Sequence, residues 1–102
     1  MIKHVILWKL KEEYSDEEKT VICANAKEAL EGLVGRIEGL TTVSVETRRL
    51  PSSSADLMLY SEFETQEHLS AYQKNPLHCD VANTYVRPFV CQRLCLDSSI
   101  EE

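Results

Sequence analysis

TQEHLSAYQKNPLHCDVANTYVRP, residues 65–88, reads as two short helices set apart by a break, and the layout of the chain follows from that reading. Thr65 is a suitable N-cap, and Leu69 and Tyr72, three residues apart, fall on one face of the first helix. Asn75-Pro76 then stops that helix and starts another. The residue before a proline is pushed out of the helical region, Asn is a good cap, and Pro fits the first helical position. His78 is therefore the third residue of the second helix. His78, Val81, Ala82 and Tyr85 follow at i, i+3, i+4 and i+7, which predicts an inward stripe. A histidine thus faces inward one tight turn after an inward tyrosine.

Upstream of this pair the pattern is mainly that of strands. Ile2 to Leu10 alternates, with Ile2, His4, Ile6, Trp8 and Leu10 on one face and Lys3, Val5, Leu7 and Lys9 on the other. Both faces are apolar at their centres, so both call for a cover. Ser15-Asp16-Glu17-Glu18 is a capping box with an acidic first turn, and the helix it opens buries Ile22, Ala26, Ala29 or Leu30, and Leu33. Gly32, Gly35 and Gly39 end it and turn the chain. Leu40 to Arg49 alternates Thr41, Val43, Val45 and Thr47 against polar residues, a half-exposed strand. After the loop at Pro51-Ser52-Ser53-Ser54, Ala55 to Glu64 resumes as a strand with Leu57, Leu59 and Phe63 on one side and Met58 and Tyr60 on the other.

Arg87 to Leu96 is the last strand, with Phe89, Cys91, Arg93 and Cys95 facing one way and Val90, Gln92, Leu94 and Leu96 the other. The order β, α, β, β, split α, β is that of a ferredoxin-like α+β domain, a four-stranded antiparallel sheet with helices on one face. Residues 1–97 form the domain, and residues 98–102 are expected to be a flexible acidic tail, fraying from Asp97 onward. The uncovered sheet face, with Val5 and Leu7, would leave an apolar patch wet, and a second copy stacked sheet to sheet would cover it. A homodimer is the expected assembly.

Composition narrows the function classes. The chain has 102 residues, a single-domain length, with 11 Lys and Arg against 17 Asp and Glu and a net charge of −6. That balance argues against nucleic acid and anionic membrane as partners. No apolar run approaches the roughly 20 residues of a membrane span, and charged residues interrupt the N-terminal strand, unlike a signal peptide. The chain reads as soluble and cytoplasmic. Its four cysteines, Cys23, Cys79, Cys91 and Cys95, lack paired-metal spacing and scaffold density. Cys91 and Cys95, four apart on a strand, lie roughly 13 Å apart, too far for a disulfide. The four are expected to be reduced and mostly buried.

The chemistry concentrates in a few residues. At the start of an apolar-facing helix, His78 is placed where a neutral imidazole is favoured, and it can take a proton from a carbon acid. Tyr72 can hold the carbonyl or enolate oxygen by a phenol hydrogen bond. In the other reading, both are structural groups with partners of their own, fixing the helix pair to the sheet. His4 divides in the same way between a ligand contact and a satisfied core group. His4, His68 and His78 never fall at metal-ligand spacing, and Glu67 and Asp80 do not complete a cluster, so no metal site is expected.

Lys3 to Leu10, the turn Gly35-Arg36-Ile37-Glu38-Gly39-Leu40, the segment Ala71-Tyr72-Gln73-Lys74-Asn75-Pro76-Leu77-His78 and the following Val86-Arg87-Pro88 together resemble the stress-responsive dimeric A/B barrel (Dabb) domain. The resemblance covers roughly residues 2–97. It implies a ferredoxin-like subunit that dimerises through its sheets into an α+β barrel, with a cavity between sheet and helices and no cofactor. Most members have no established activity. In one plant relative, olivetolic acid cyclase, a catalytic tyrosine and histidine correspond to Tyr72 and His78, and a cavity histidine corresponds to His4. The resemblance therefore implies His78 and Tyr72 as catalytic candidates and His4, Ile6 and Trp8 as ligand-binding candidates, for a small apolar carbonyl compound. Asn75 stands where the family often has a histidine, which keeps the helix cap and removes a titratable group. Two functions stay open: a dimer whose cavity binds a small apolar ligand, and a cofactor-free enzyme doing acid/base chemistry on a carbonyl compound.

Overall fold

The structure, a computed structural model, describes residues 1–100; Glu101 and Glu102 of the expected tail lie outside the described residues. Four strands, β1 (Ile2–Leu10), β2 (Leu40–Glu46), β3 (Leu57–Phe63) and β4 (Val90–Ser99), form an antiparallel sheet in the order β2-β3-β1-β4. Helix α1 (Asp16–Glu31) follows β1, and α2 (Gln66–Lys74) and α3 (Pro76–Tyr85) connect β3 to β4. This is the ferredoxin-like arrangement expected from the element order, with β1 held centrally between β3 and β4.

The helix boundaries follow the capping chemistry. Ser15 Oγ accepts from the Glu18 amide at 3.1 Å, and Glu18 Oε1 accepts from the Ser15 amide at 2.9 Å, closing the capping box on α1. Thr65 Oγ1 accepts from the His68 amide at 3.1 Å, and Asn75 Oδ1 accepts from the Leu77 amide at 2.9 Å with Pro76 in the first turn of α3. Gly39 turns the chain into β2 at φ +82°, and a Cβ there would collide with the His68 ring. Both the left-handed backbone and the close ring demand glycine at this position.

The core lies between the sheet and α1 and α2. His4, Ile6, Trp8 and Leu10 on β1 and Leu57, Leu59, Ser61 and Phe63 on β3 are all buried, and the register Trp8↔Leu57, Ile6↔Leu59, His4↔Ser61 places them side by side. The opposite face is uncovered. Leu7, Leu94 and Leu96 are 39%, 61% and 65% exposed there, and Leu7↔Leu94 and Val5↔Leu96 are neighbours across β1 and β4.

Several expectations need correction. β4 runs to Ser99, with His4↔Asp97 and Ile2↔Ser99 paired, and the Ile100 amide donates to the Met1 carbonyl at 3.0 Å. The segment from Asp97 to Ser99 is therefore strand and not tail, because β1 offers it a ladder out to Ile2. Arg87–Phe89 is a turn of 3-10 helix before β4, set by Pro88, and β2 stops at Glu46. Tyr85 is 39% exposed, and Val86 takes the inward position at the end of α3. On α1, Cys23 is buried and Ile22 only half-buried, while Leu30 is buried where either Ala29 or Leu30 was open. Cysteine burial was overestimated: Cys23 is buried, Cys79 is half-buried, and Cys91 and Cys95 on the edge strand are exposed.

Candidate functional site

His4, Ile6, Trp8, Tyr72 and His78 line one pocket of about 210 Å³ between β1 and the α2–α3 corner. Strand alternation places the first three on the helix-covered face. Tyr72 is on the buried side of α2, and the Asn75-Pro76 break turns α3 so that His78, at its third position, comes back against Tyr72. Their rings lie 4.0 Å apart, tilted by 33°. Tyr72 also meets Phe63 at 4.9 Å, edge to face, and His4 sits edge-on to both Phe63 and Tyr72 at 6.3 and 6.4 Å. An aromatic wall therefore fixes the orientation of all three polar rings.

The polar partners differ from ring to ring. His4 Nδ1 hydrogen-bonds the Asp97 carboxylate, which can only accept, so Nδ1 carries the proton and Nε2 is the ring's remaining nitrogen. By contrast, the Nδ1 atom of His78 is the one buried side-chain polar atom among the described residues that lacks a hydrogen-bond partner. Burial holds the His78 imidazole at a pKa of about 4, below its ordinary 6.5, and the nearby Arg87 pushes the same way. The Tyr72 backbone beside the ring opposes this only in part. Burial also pushes the Tyr72 phenol well above its ordinary pKa of 10. At neutral pH the pocket presents an uncharged imidazole beside a protonated phenol.

Sequence reasoning missed some of the lining. Arg87 and Arg93 border the same pocket and bring positive charge to it, and Ala82 and Val86 contribute apolar wall. Arg93 was placed on one face of its strand with Cys95, but only the register Trp8↔Arg93 and Ile6↔Cys95 shows that this is the pocket's face. A larger depression of about 460 Å³, more open to solvent, lies by the β2–β3 loop and includes none of the catalytic or ligand-binding candidates His4, Ile6, Trp8, Tyr72 and His78.

At the other end of β1, Asp56 is buried. Its carboxylate accepts from the Leu10 amide at 2.7 Å and pairs with the Arg49 guanidinium at 2.7 Å. No sequence pattern marked it. Among the described residues no helix is long and apolar enough to cross a membrane.

A dimeric protein of unknown function and ferredoxin-like fold from Bacteroides fragilis superposes with a TM-score of 0.90 at 28% identity, covering 97% of this chain and 95% of that one. A Dabb family protein from Mesorhizobium loti superposes at 0.73 with 22% identity over 99% and 97% of the two chains. Hydroxynitrile lyase from Passiflora edulis superposes at 0.72 with 15% identity over 99% and 94%, a likeness of fold alone. No protein of curated function matches the chain. The family model described as the stress responsive A/B barrel domain matches residues 2–100, and the chain belongs to that Dabb family.

Proposed function

We propose that this chain is a homodimer, joined through the uncovered faces of its sheets, in which each subunit's pocket binds a small, largely apolar carbonyl compound. The observation that carries the binding reading is the pocket itself, which brings the polar rings of His4, Tyr72 and His78 together with apolar Ile6 and Trp8 around one space. Tyr72, kept protonated, donates to the carbonyl oxygen. Ile6 and Trp8 supply apolar contact, and His4, anchored by Asp97, orients the ligand. At about 210 Å³ the pocket is smaller than the roughly 300–1,000 Å³ of drug-sized sites, which limits the guest to about a single ring. The dimer reading draws on the exposed leucines and on neighbours described as dimeric. A cytoplasmic setting fits four unpaired cysteines, and neither nucleic acid nor membrane is a proposed partner.

A second reading, cofactor-free acid/base catalysis, is favoured by the 4.0 Å approach of the Tyr72 and His78 rings. His78 would take the proton next to the carbonyl while Tyr72 holds the enolate oxygen. A base with a pKa of about 4 works roughly three units below neutral pH, where proton abstraction is weak, so binding ranks first.

The test fills the pocket. Ala82→Leu adds bulk to its lining, and calorimetry against a panel of small aromatic aldehydes and ketones should show binding in the wild type and none in the variant. Equal binding by both, or none by the wild type, would refute the site. Leu94→Glu, on the uncovered face, should turn a sedimenting dimer into a monomer.

A further inference from the structure

We propose that His4, Cys95 and Asp97 form a zinc site at the pocket's edge, distinct from the Tyr72 and His78 pair. Cys95 and Asp97 are two apart on β4 and so share a face, and the register sets Asp97 opposite His4 on β1. One ligand atom from each of the three lies within 4.8 Å of the other two. The individual separations carry the argument further. Zinc bonds of about 2.0–2.1 Å to nitrogen, 2.0–2.2 Å to oxygen and 2.3 Å to sulfur, at tetrahedral angles, put sulfur about 3.6 Å from either neighbour. Cys95 Sγ lies 3.7 Å from His4 Nδ1 and 3.5 Å from Asp97 Oδ1. The third pair, His4 Nδ1 and Asp97 Oδ1, is in direct hydrogen-bond contact, closer than the roughly 3.4 Å that two ligands of one tetrahedral zinc keep, so the Asp97 carboxylate must turn outward by roughly an ångström as the metal displaces the proton.

The donor set selects the ion. Thiolate and imidazole favour zinc over magnesium or calcium, which want an all-oxygen shell. Three protein ligands leave a fourth position for water, the pattern of open rather than purely structural zinc sites. Access is direct, since Asp97 borders a second depression of about 290 Å³ while His4 faces the first. A rival role for Cys95, a nucleophile activated by His4, does not fit the geometry. Asp97 and Cys95 both meet the same His4 nitrogen, so Asp97 cannot orient the ring from behind.

The test uses the full chain stripped with a chelator and titrated with cobalt(II), then zinc(II). One cobalt per chain is expected, with a thiolate charge-transfer band in the near ultraviolet that zinc abolishes. Cys95→Ser, an exposed position where folding is not at stake, should lose the band, and Asp97→Asn should weaken binding by roughly tenfold or more. Cys91→Ser, at the other exposed cysteine of β4, should leave the titration unchanged, which assigns the band to Cys95. No band in the wild type, or a band that survives Cys95→Ser, overturns the proposal.

Discussion

The two ends of β1 each bury polar side chains, and they treat them in opposite ways. At Leu10, the Asp56 carboxylate is satisfied by a main-chain amide and the Arg49 guanidinium. At His4, an aromatic wall holds two imidazoles and a phenol around open space, and one ring nitrogen has no partner. A buried group that serves the fold is satisfied by the fold. A buried group left unsatisfied costs stability, about 1–3 kcal/mol, and that cost is tolerated where something else completes the bond.

The sharpest way to break this contrast is Asp56→Ala. It orphans the Leu10 amide and removes a charge-assisted pair, and should cost about 2–3 kcal/mol in urea unfolding with pocket ligand affinity unchanged. A loss of affinity equal to the loss of stability would mean that the two ends are one unit.

Tyr72→Phe should do the reverse. The aromatic packing against Phe63 stays, so the melting temperature should hardly move, while carbonyl-ligand affinity falls by roughly tenfold, the worth of one hydrogen bond. A large drop in melting temperature would make Tyr72 a packing group.

The smallest effect is a slope with pH. His78 titrates near 4 in the folded chain and near its ordinary 6.5 when unfolded, so between these values the unfolded state binds more protons. The stability associated with neutral His78 is therefore complete above about 6.5 and is lost as pH falls toward 4. Because His78 is only half-buried, solvent screening reduces the effect to about 1 kcal/mol. His78→Gln should flatten that part of the stability profile, measured by chemical unfolding at pH 7 and pH 4.5. An unchanged slope would locate the acid sensitivity elsewhere.

Much of this could be read from the chain because the signals are local. Caps at Ser15, Thr65 and Asn75 and the alternation in β1 and β3 rest on neighbours within a few residues, and the element order follows from them. The inward setting of His4, Tyr72 and His78 came from the same periodicities, the last two across a Pro break that the sequence spells out. Tyr85 misled because a stripe at helical spacing says nothing about where its helix ends: α3 stops at Tyr85, and Val86 turns into the core in its place.

By itself, then, the sequence determined the order of elements, the faces of β1 and the placing of a histidine beside a tyrosine at a helix break. Register and pairing were decided only in the tertiary structure. A strand's alternation names two faces without saying which is covered, and it says nothing about where pairing ends. Asp97 therefore passed for tail until β1 supplied its partners, and Cys95, 91 residues from His4 along the chain, could be brought to it only by the β1–β4 ladder.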